Sequence, residues 1–176
     1  MGKILIIIFL EHDFIFIYCF NPIKKIRKGS ITKINIEAIR ILQSLGIDIF
    51  ANFMVKPDFG KSDFRAFSKY CLDLSLNFLG FTVMAPLPGT DFYEEFKNKL
   101  IINNYDYYDF FHTHLPTTLP LKEFYKEYLS LYKKTKSISN QIAFLKKYPL
   151  KEIPSLFKMY FKFIKQLKTI DKGYVN

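Results

Sequence analysis

Apolar residues recur along this chain at the intervals that separate helices from strands. One helix is predicted from Ile34, because apolar residues there return every three or four positions and form a single face. The members of that face are Ile34, Ala38, Ile41, Leu42 and Leu45. Gly46 follows where a helix C-terminus favours a left-handed residue, so we expect the helix to end there.

Two later segments are apolar at almost every position, which is typical of parallel strands covered on both faces. They are Ile47–Val55 and Asn77–Ala85. The segment between them predicts a helix capped by Ser62. Its expected buried positions are Phe64, Phe67, Cys71 and Leu74. Strand, helix and strand at this spacing predict a right-handed βαβ unit.

The second strand leads into a loop of turn-forming residues, Pro86–Thr90. Thr90 is expected to cap a helix from Asp91 to about Lys99. Residues 100–119 are aromatic and irregular in pattern, and a helix is predicted from Pro120. Its apolar face comprises Leu121, Phe124, Tyr125, Tyr128 and Tyr132. Two more Lys-rich helices are expected, broken near Pro149 and Pro154.

The N-terminus contains two apolar runs, Ile4–Leu10 and Phe14–Phe20, separated by Glu11, His12 and Asp13. A membrane span needs about 20 mostly apolar residues, and a central carboxylate costs roughly 2.5–3.5 kcal/mol on insertion scales. No small-residue cleavage site follows, which argues against a secretory signal. Ile4–Leu10 therefore predicts a buried strand and no transmembrane segment is expected, although a membrane anchor is the alternative interpretation.

Charge is concentrated in the last third of the chain. Residues 121–176 contain 13 lysines and four acidic residues, a net charge of +9 out of +10 for the whole chain. Lys, Asn and Ile are abundant throughout, as an AT-rich genome alone would produce. The two cysteines, Cys19 and Cys71, form no disulfide framework and no CxxC pair, which fits a reducing, cytoplasmic location.

Several segments, taken in order, resemble the last two strands of radical SAM enzymes. They are Gly46–Val55, Lys56–Phe59 and Phe81–Glu95. Arg27–Ser30 and Asn35–Leu45 resemble the helix that precedes those strands. Tyr105–Thr113 and Leu119–Tyr132 are similar to a cobalamin-dependent subgroup of the hopanoid C-3 methylase type.

This resemblance implies an α/β fold. Residues 1–99 would form a partial (β/α) barrel of the radical SAM type, with its last two or three βα units, and residues 100–176 a C-terminal helical extension. Such a partial barrel is expected to leave strand edges unpaired. The intact relative would use a [4Fe–4S] cluster, S-adenosylmethionine and cobalamin to methylate or rearrange an unactivated carbon.

The same resemblance identifies what this sequence lacks. The CxxxCxxC motif that binds the cluster is absent, as is the Gly-Gly-Glu stretch that holds the methionyl amine. Three thiolates must converge on the cluster, and two cysteines cannot provide them. We therefore expect a C-terminal part of such an enzyme that is inactive and binds no cofactor alone. Its expected partner is the missing N-terminal half.

Candidate cofactor-binding residues follow from the resemblance only. Phe53, Met54 and Val55 match the strand that packs around adenine, and the pair Ala85 and Pro86 matches the strand end that closes the other side. Glu11 matches the acidic residue at the end of the family's fourth strand. The alternative is that these are plain core residues, and no catalytic residue is predicted.

Two further features of the sequence, a pair of histidines and the Lys-rich tail, could have a function or be purely structural. His112 and His114, with Asp106 and Asp109 nearby, have the residue types of a metal site, but no third ligand at firm spacing is visible, so no metal is predicted. The Lys-rich tail suggests a second function, a small basic interaction protein that binds nucleic acid or an anionic membrane. Amphipathic helices with solvated lysines explain the same pattern.

Overall fold

The computed structural model describes residues 10–11, 14–19, 30–76, 78–102, 104–135, 142, 145–146 and 149–174. Within these residues the strands are β1 (Leu10–Glu11), β2 (Phe14–Cys19), β3 (Asp48–Val55) and β4 (Phe78–Val83). The α-helices are α1 (Ser30–Ser44), α2 (Lys61–Asp73), α3 (Asp91–Phe96), α4 (Leu121–Lys134) and α5 (Ile153–Leu167). Short 3₁₀ segments lie at Lys97–Lys99, Tyr105–Tyr107, Leu150–Glu152 and Ile170–Tyr174.

The described strands form one sheet in the order β1-β2-β3-β4. β2, β3 and β4 are parallel, and β1 pairs with β2 in the antiparallel direction. Helices α1 and α2 connect successive parallel strands, as βαβ units require. The predicted α/β class and the predicted βαβ unit are therefore confirmed.

The two faces of the sheet have different surroundings. Ala51, Phe53 and Val55 alternate along β3 on the face covered by helices, and all three are fully buried. The ring of Phe53 packs edge-on against Phe67 of α2, with 5.6 Å between ring centroids. The intervening Asn52 and Met54 are partly exposed. The helices thus cover one face of the sheet and leave the other accessible.

The start of α2 differs from the prediction. Ser62 is exposed and is not the cap. The N-cap is Gly60, whose N–H donates to the Asp63 carboxylate at 2.8 Å. A glycine has no capping side chain, so the acidic residue three positions later satisfies the free N–H group instead.

The buried face of α1 also differs from the prediction. Ile41 and Leu45 are exposed, whereas Ile39 is buried and both Ile36 and Leu42 pack against the core. The helix contains two overlapping series of apolar residues three and four apart, and the series that includes Ile39 faces the sheet. The predicted helix end is confirmed, since Gly46 has a φ of +73°.

Helix α4 packs against α2 and along the free side of β4. The predicted buried residues Phe124, Tyr125, Tyr128 and Tyr132 are confirmed, and Leu121 is partly buried. The carbonyl oxygen of Phe81 accepts hydrogen bonds from Tyr128 and Tyr132. Helix α4 therefore occupies part of this strand edge, which we expected to be unpaired.

One hydrophobic core extends from Ile39 to Ile170 and includes residues on both sides of the predicted boundary after residue 99. Of the two Lys-rich helices expected near the end, the second is α5, which begins at Ile153 between the two prolines where the break was predicted, with Pro154 in its first turn. Proline is tolerated there because its missing N–H has no helical partner. The first of the two expected helices lies largely outside the residues that the structure describes.

The N-terminal predictions are only partly covered. Of Ile4–Leu10, Leu10 alone is described, and it belongs to the short strand β1. The second apolar run contains β2, which pairs with β3. Among the described helices, none combines the length and apolar character that crossing a bilayer requires.

Candidate functional site at the strand ends

The carboxyl ends of β3 and β4 lie side by side. The N–H of Met84 donates to the carbonyl oxygen of Val55 at 2.8 Å, which keeps the two chains together just beyond the sheet. Ligands of parallel α/β folds collect at this edge, because the loops that follow the strands surround it. This edge is therefore the candidate functional site.

The residues predicted on β3 lie on different faces. Phe53 and Val55 are in the core beneath α2, so their side chains are unavailable to a ligand on the open face. Met54 is partly exposed on that open face. After β4, Ala85 is partly exposed and Pro86 is buried. Met54 and Ala85 thus lie near the same edge of the sheet, and both have accessible surface. Phe53, Val55 and Pro86 are buried.

A cavity of about 290 Å³ opens beyond these strand ends. It is lined by Pro57, Asp58, Met84, Phe92, Phe96, Lys99, Leu115 and Pro116. We call it the strand-end cavity. Its walls are mainly apolar and contain one carboxylate and one ammonium group, an arrangement typical of small-molecule sites.

Three local features hold the strand-end cavity in shape. The Thr90 hydroxyl accepts a hydrogen bond from the N–H of Tyr93 at 3.1 Å, which confirms the predicted cap of α3. Thr118 donates from its hydroxyl to the carbonyl oxygen of Asp58 at 2.9 Å. The ammonium group of Lys99 lies 5.3 Å from the ring centroid of Phe96, a cation–π contact.

A close approach occurs on the open face at Gly80 of β4. A Cβ atom there would lie 2.9 Å from the side-chain oxygen of Asn52 and 3.1 Å from the ring of Phe50. Both neighbours belong to β3. Glycine therefore lets these two side chains lie across β4 and cover part of the open face.

Glu11 lies far from this edge along the sheet. It pairs with Phe14 at the start of β2, and Phe14 pairs with Asp48 at the start of β3. Because β1 runs antiparallel to β2, its end meets the amino ends of the parallel strands. The structure therefore does not bring Glu11 together with Met54 and Ala85.

The two histidines considered for a metal site point to different partners. His112 Nδ1 lies 2.9 Å from the carboxylate of Asp109. His114 is fully buried, stacks on Tyr108, and has its Nε2 3.0 Å from the carbonyl oxygen of Tyr107. Among the described residues no cluster of three or more potential ligands forms a metal site.

Asp109 organises the turn that carries His112. Burial would raise its pKa, but hydrogen bonds from the His112 ring and from the backbone N–H groups of His112 and Phe111 outweigh burial and hold the pKa below its usual value. The carboxylate therefore stays ionised and fixes the ring through Nδ1. A second, open cavity of about 520 Å³ lies beside His112 and Gly173.

Sequence reasoning missed a tyrosine pair beneath this turn, in which Tyr125 is buried and Tyr174 is partly buried. The hydroxyls of Tyr125 and Tyr174 are hydrogen-bonded to each other, and both accept from the N–H of Thr113. Burial raises the pKa of Tyr125 to about 12, and it also raises the pKa of Tyr174. The helical pattern predicted that Tyr125 is buried, but nothing local indicates a partner 49 positions away.

Comparison with known proteins identifies a relative of this chain. The chain is 33% identical to a protein named hopanoid C-3 methylase from Methylococcus capsulatus, over 64% of this chain. The match spans 22% of the length of that relative. No family model matches the chain. The similarity confirms the resemblance to the hopanoid C-3 methylase type that the ordered motifs predict.

Proposed function

From its similarity to a hopanoid C-3 methylase, we propose that this chain supplies the last parallel strands of a partial (β/α) barrel of the radical SAM type. In this proposal residues 1–99 belong to the barrel and the helices after residue 99 brace it from outside. The observation that carries the proposal is the 33% identity to the methylase over 64% of this chain. A parallel sheet with an accessible face supports it.

S-adenosylmethionine fits the surface at the carboxyl ends of β3 and β4 as one wall of a pocket. Met54 and Ala85 offer partly exposed apolar surface next to backbone groups, as an adenine ring requires. Phe53, Val55 and Pro86 would support that wall from behind. When bound in the complete protein, S-adenosylmethionine supplies the radical and the methyl group.

A [4Fe–4S] cluster does not fit the residues of this chain. Cys71 is buried in the core on α2, and the sequence contains one other cysteine, Cys19. Three thiolates are needed to hold the cluster and leave an iron open to S-adenosylmethionine. We therefore propose that the chain is inactive alone and that its partner is a cysteine-bearing N-terminal half, which also brings cobalamin.

The open face of the sheet is the surface that this partner would cover. Asn52 and Met54 of β3 and Thr82 of β4 are partly exposed there. Inward-facing residues of a parallel barrel normally pack in layers against residues of other strands. In the complete barrel these side chains would be buried against the strands of the partner.

The proposal is tested by supplying the missing half. The methylase relative, truncated before the matched segment, is coexpressed with this chain, and copurification and S-adenosylmethionine binding are measured anaerobically. We expect the two to copurify and to bind S-adenosylmethionine, whereas the chain alone does not. Met54→Asp should abolish copurification, and the matched variant Ala66→Asp, on the exposed side of α2, should not.

Two results would contradict the proposal. The first is a stable cluster, seen by its visible absorbance, after the chain alone is incubated with iron and sulfide. The second is failure of the truncated relative to copurify while the chain melts cooperatively as a monomer.

A further inference from the structure

Helix α5 exposes a pair of aromatic side chains that the core does not use. Phe157 is 46% exposed and Phe161 is 64% exposed. They lie one turn apart, and their rings stack with 6.4 Å between centroids. A stacked pair of large, exposed aromatic side chains is unusual on a surface that serves solubility alone.

Other residues of α5 make its contacts with the core, which leaves these two rings exposed. Ile164 and Leu167 are buried, and Tyr160 and Phe163 pack against the core. The core-facing residues occupy one face of the helix, and Phe157 and Phe161 extend the apolar arc beyond it. The helix thus has a wider apolar surface than its contact with the sheet and α4 requires.

Positive charge borders the exposed pair. Lys158, Lys162, Lys165 and Lys168 are all exposed. The sequence from Ile153 to Ile170 contains these four lysines and no acidic residue. Lys158 and Lys162 each follow one of the two phenylalanines directly, and Lys165 lies one turn after Phe161. Apolar and cationic groups are therefore side by side.

We propose that α5 is an interfacial helix that binds the surface of an anionic lipid bilayer, with Phe157 and Phe161 inserted at the headgroup boundary. Lysines beside the inserted rings reach the anionic headgroups, which is the composition of helices that lie in the membrane surface. This surface is separate from the strand-end cavity, so the proposal does not depend on the proposed radical SAM barrel.

The test is cosedimentation of the full chain with vesicles of phosphatidylcholine alone or mixed with phosphatidylglycerol. We expect binding to the mixed vesicles that weakens as salt is raised. Phe157→Ser with Phe161→Ser should weaken binding by about tenfold or more, since two half-exposed rings lose their insertion. The matched control is Ile101→Ser with Tyr105→Ser, which removes two exposed apolar side chains elsewhere and should leave binding unchanged.

A charge series gives a second readout that does not alter apolar packing. Lys158→Gln with Lys165→Gln should weaken binding by about fivefold per lysine, whereas Lys122→Gln with Lys126→Gln on α4 should have a smaller effect. No binding to mixed vesicles would overturn the proposal. It would also be overturned if RNA bound with the same dependence on Phe157 and Phe161, or if those rings held a dimer together.

Discussion

The hydroxyl of Tyr128 on α4 donates a 2.5 Å hydrogen bond to the carbonyl oxygen of Phe81 on β4. Tyr132, one helical turn later, donates to the same oxygen at 3.1 Å. Two residues further along β4, the N–H of Val83 donates to the carbonyl oxygen of Phe110 at 2.7 Å. Side chains of α4 and one loop carbonyl therefore replace the neighbouring strand that this edge would otherwise require.

Removing both tyrosine hydroxyls should destabilise the protein more than the single changes suggest. Tyr128→Phe or Tyr132→Phe leaves the carbonyl of Phe81 with one donor, at a cost of about 1 kcal/mol each. The double variant leaves a buried carbonyl with neither donor, which adds roughly 1–3 kcal/mol. Urea unfolding of the four proteins measures this coupling, and strictly additive free energies would contradict it.

Alkaline pH should unfold the protein through its buried tyrosines. Folding raises the pKa of Tyr125 from its ordinary value of 10.0 to about 12, so the unfolded chain releases this proton first. The contribution of protonated Tyr125 to the free energy of unfolding is therefore fully present below pH 10. It is lost as the pH rises toward 12, which lowers the free energy of unfolding by roughly 2–3 kcal/mol. The free energy of unfolding, measured from pH 9 to 12, should decrease less in Tyr125→Phe than in the parent protein. In Tyr105→Phe, which changes an exposed residue, it should decrease as much as in the parent protein.

Neighbouring positions on β3 should respond very differently to truncation. Phe53→Ala removes a fully buried ring that packs against Phe67 and Phe81, and should cost roughly 3–5 kcal/mol. Met54→Ala acts on the partly exposed face and should cost less than about 1.5 kcal/mol. Thermal melting compares the two. Equal losses would mean that the two faces of β3 are packed alike.

The cap of α3 should matter because the helix has only six residues. Thr90→Ala removes the hydroxyl that accepts from the N–H of Tyr93 and should cost about 1 kcal/mol. Thr90→Ser keeps the hydroxyl and serves as the control. Hydrogen exchange at Tyr93 should accelerate in the alanine variant and stay unchanged in the serine variant. Acceleration in both would assign the effect to packing of the methyl group.

The elements predicted correctly are those whose signals are local. β3 and β4 are continuous apolar runs, and Thr90 stands directly before a helix with acidic residues in its first turn. Periodicity alone did not decide between the two apolar series of α1, because the choice depends on where the sheet lies. The cap of α2 depends on Asp63 compensating for Gly60, which competes with the more obvious Ser62.

The strand-end site was predictable only in part. The sequence indicates which strands end at this edge, but the orientation of each side chain depends on the register of the sheet. That register places Met54 on the open face and both Phe53 and Val55 beneath α2. The residues that enclose the strand-end cavity from beyond the sheet, such as Leu115 and Pro116, come from an irregular segment with no periodic pattern.

Hydrogen bonding along the outer side of β4 determines at which edge of the sheet a further strand could be added. The carbonyl of Phe81 and the N–H of Val83 are already satisfied, so a strand grafted next to β4 would first have to displace α4. Beyond β2, the described pairing of β1 reaches only Phe14 and Ile15. An engineered extension of the sheet should therefore be designed to enter from the β2 side, as a replacement for β1.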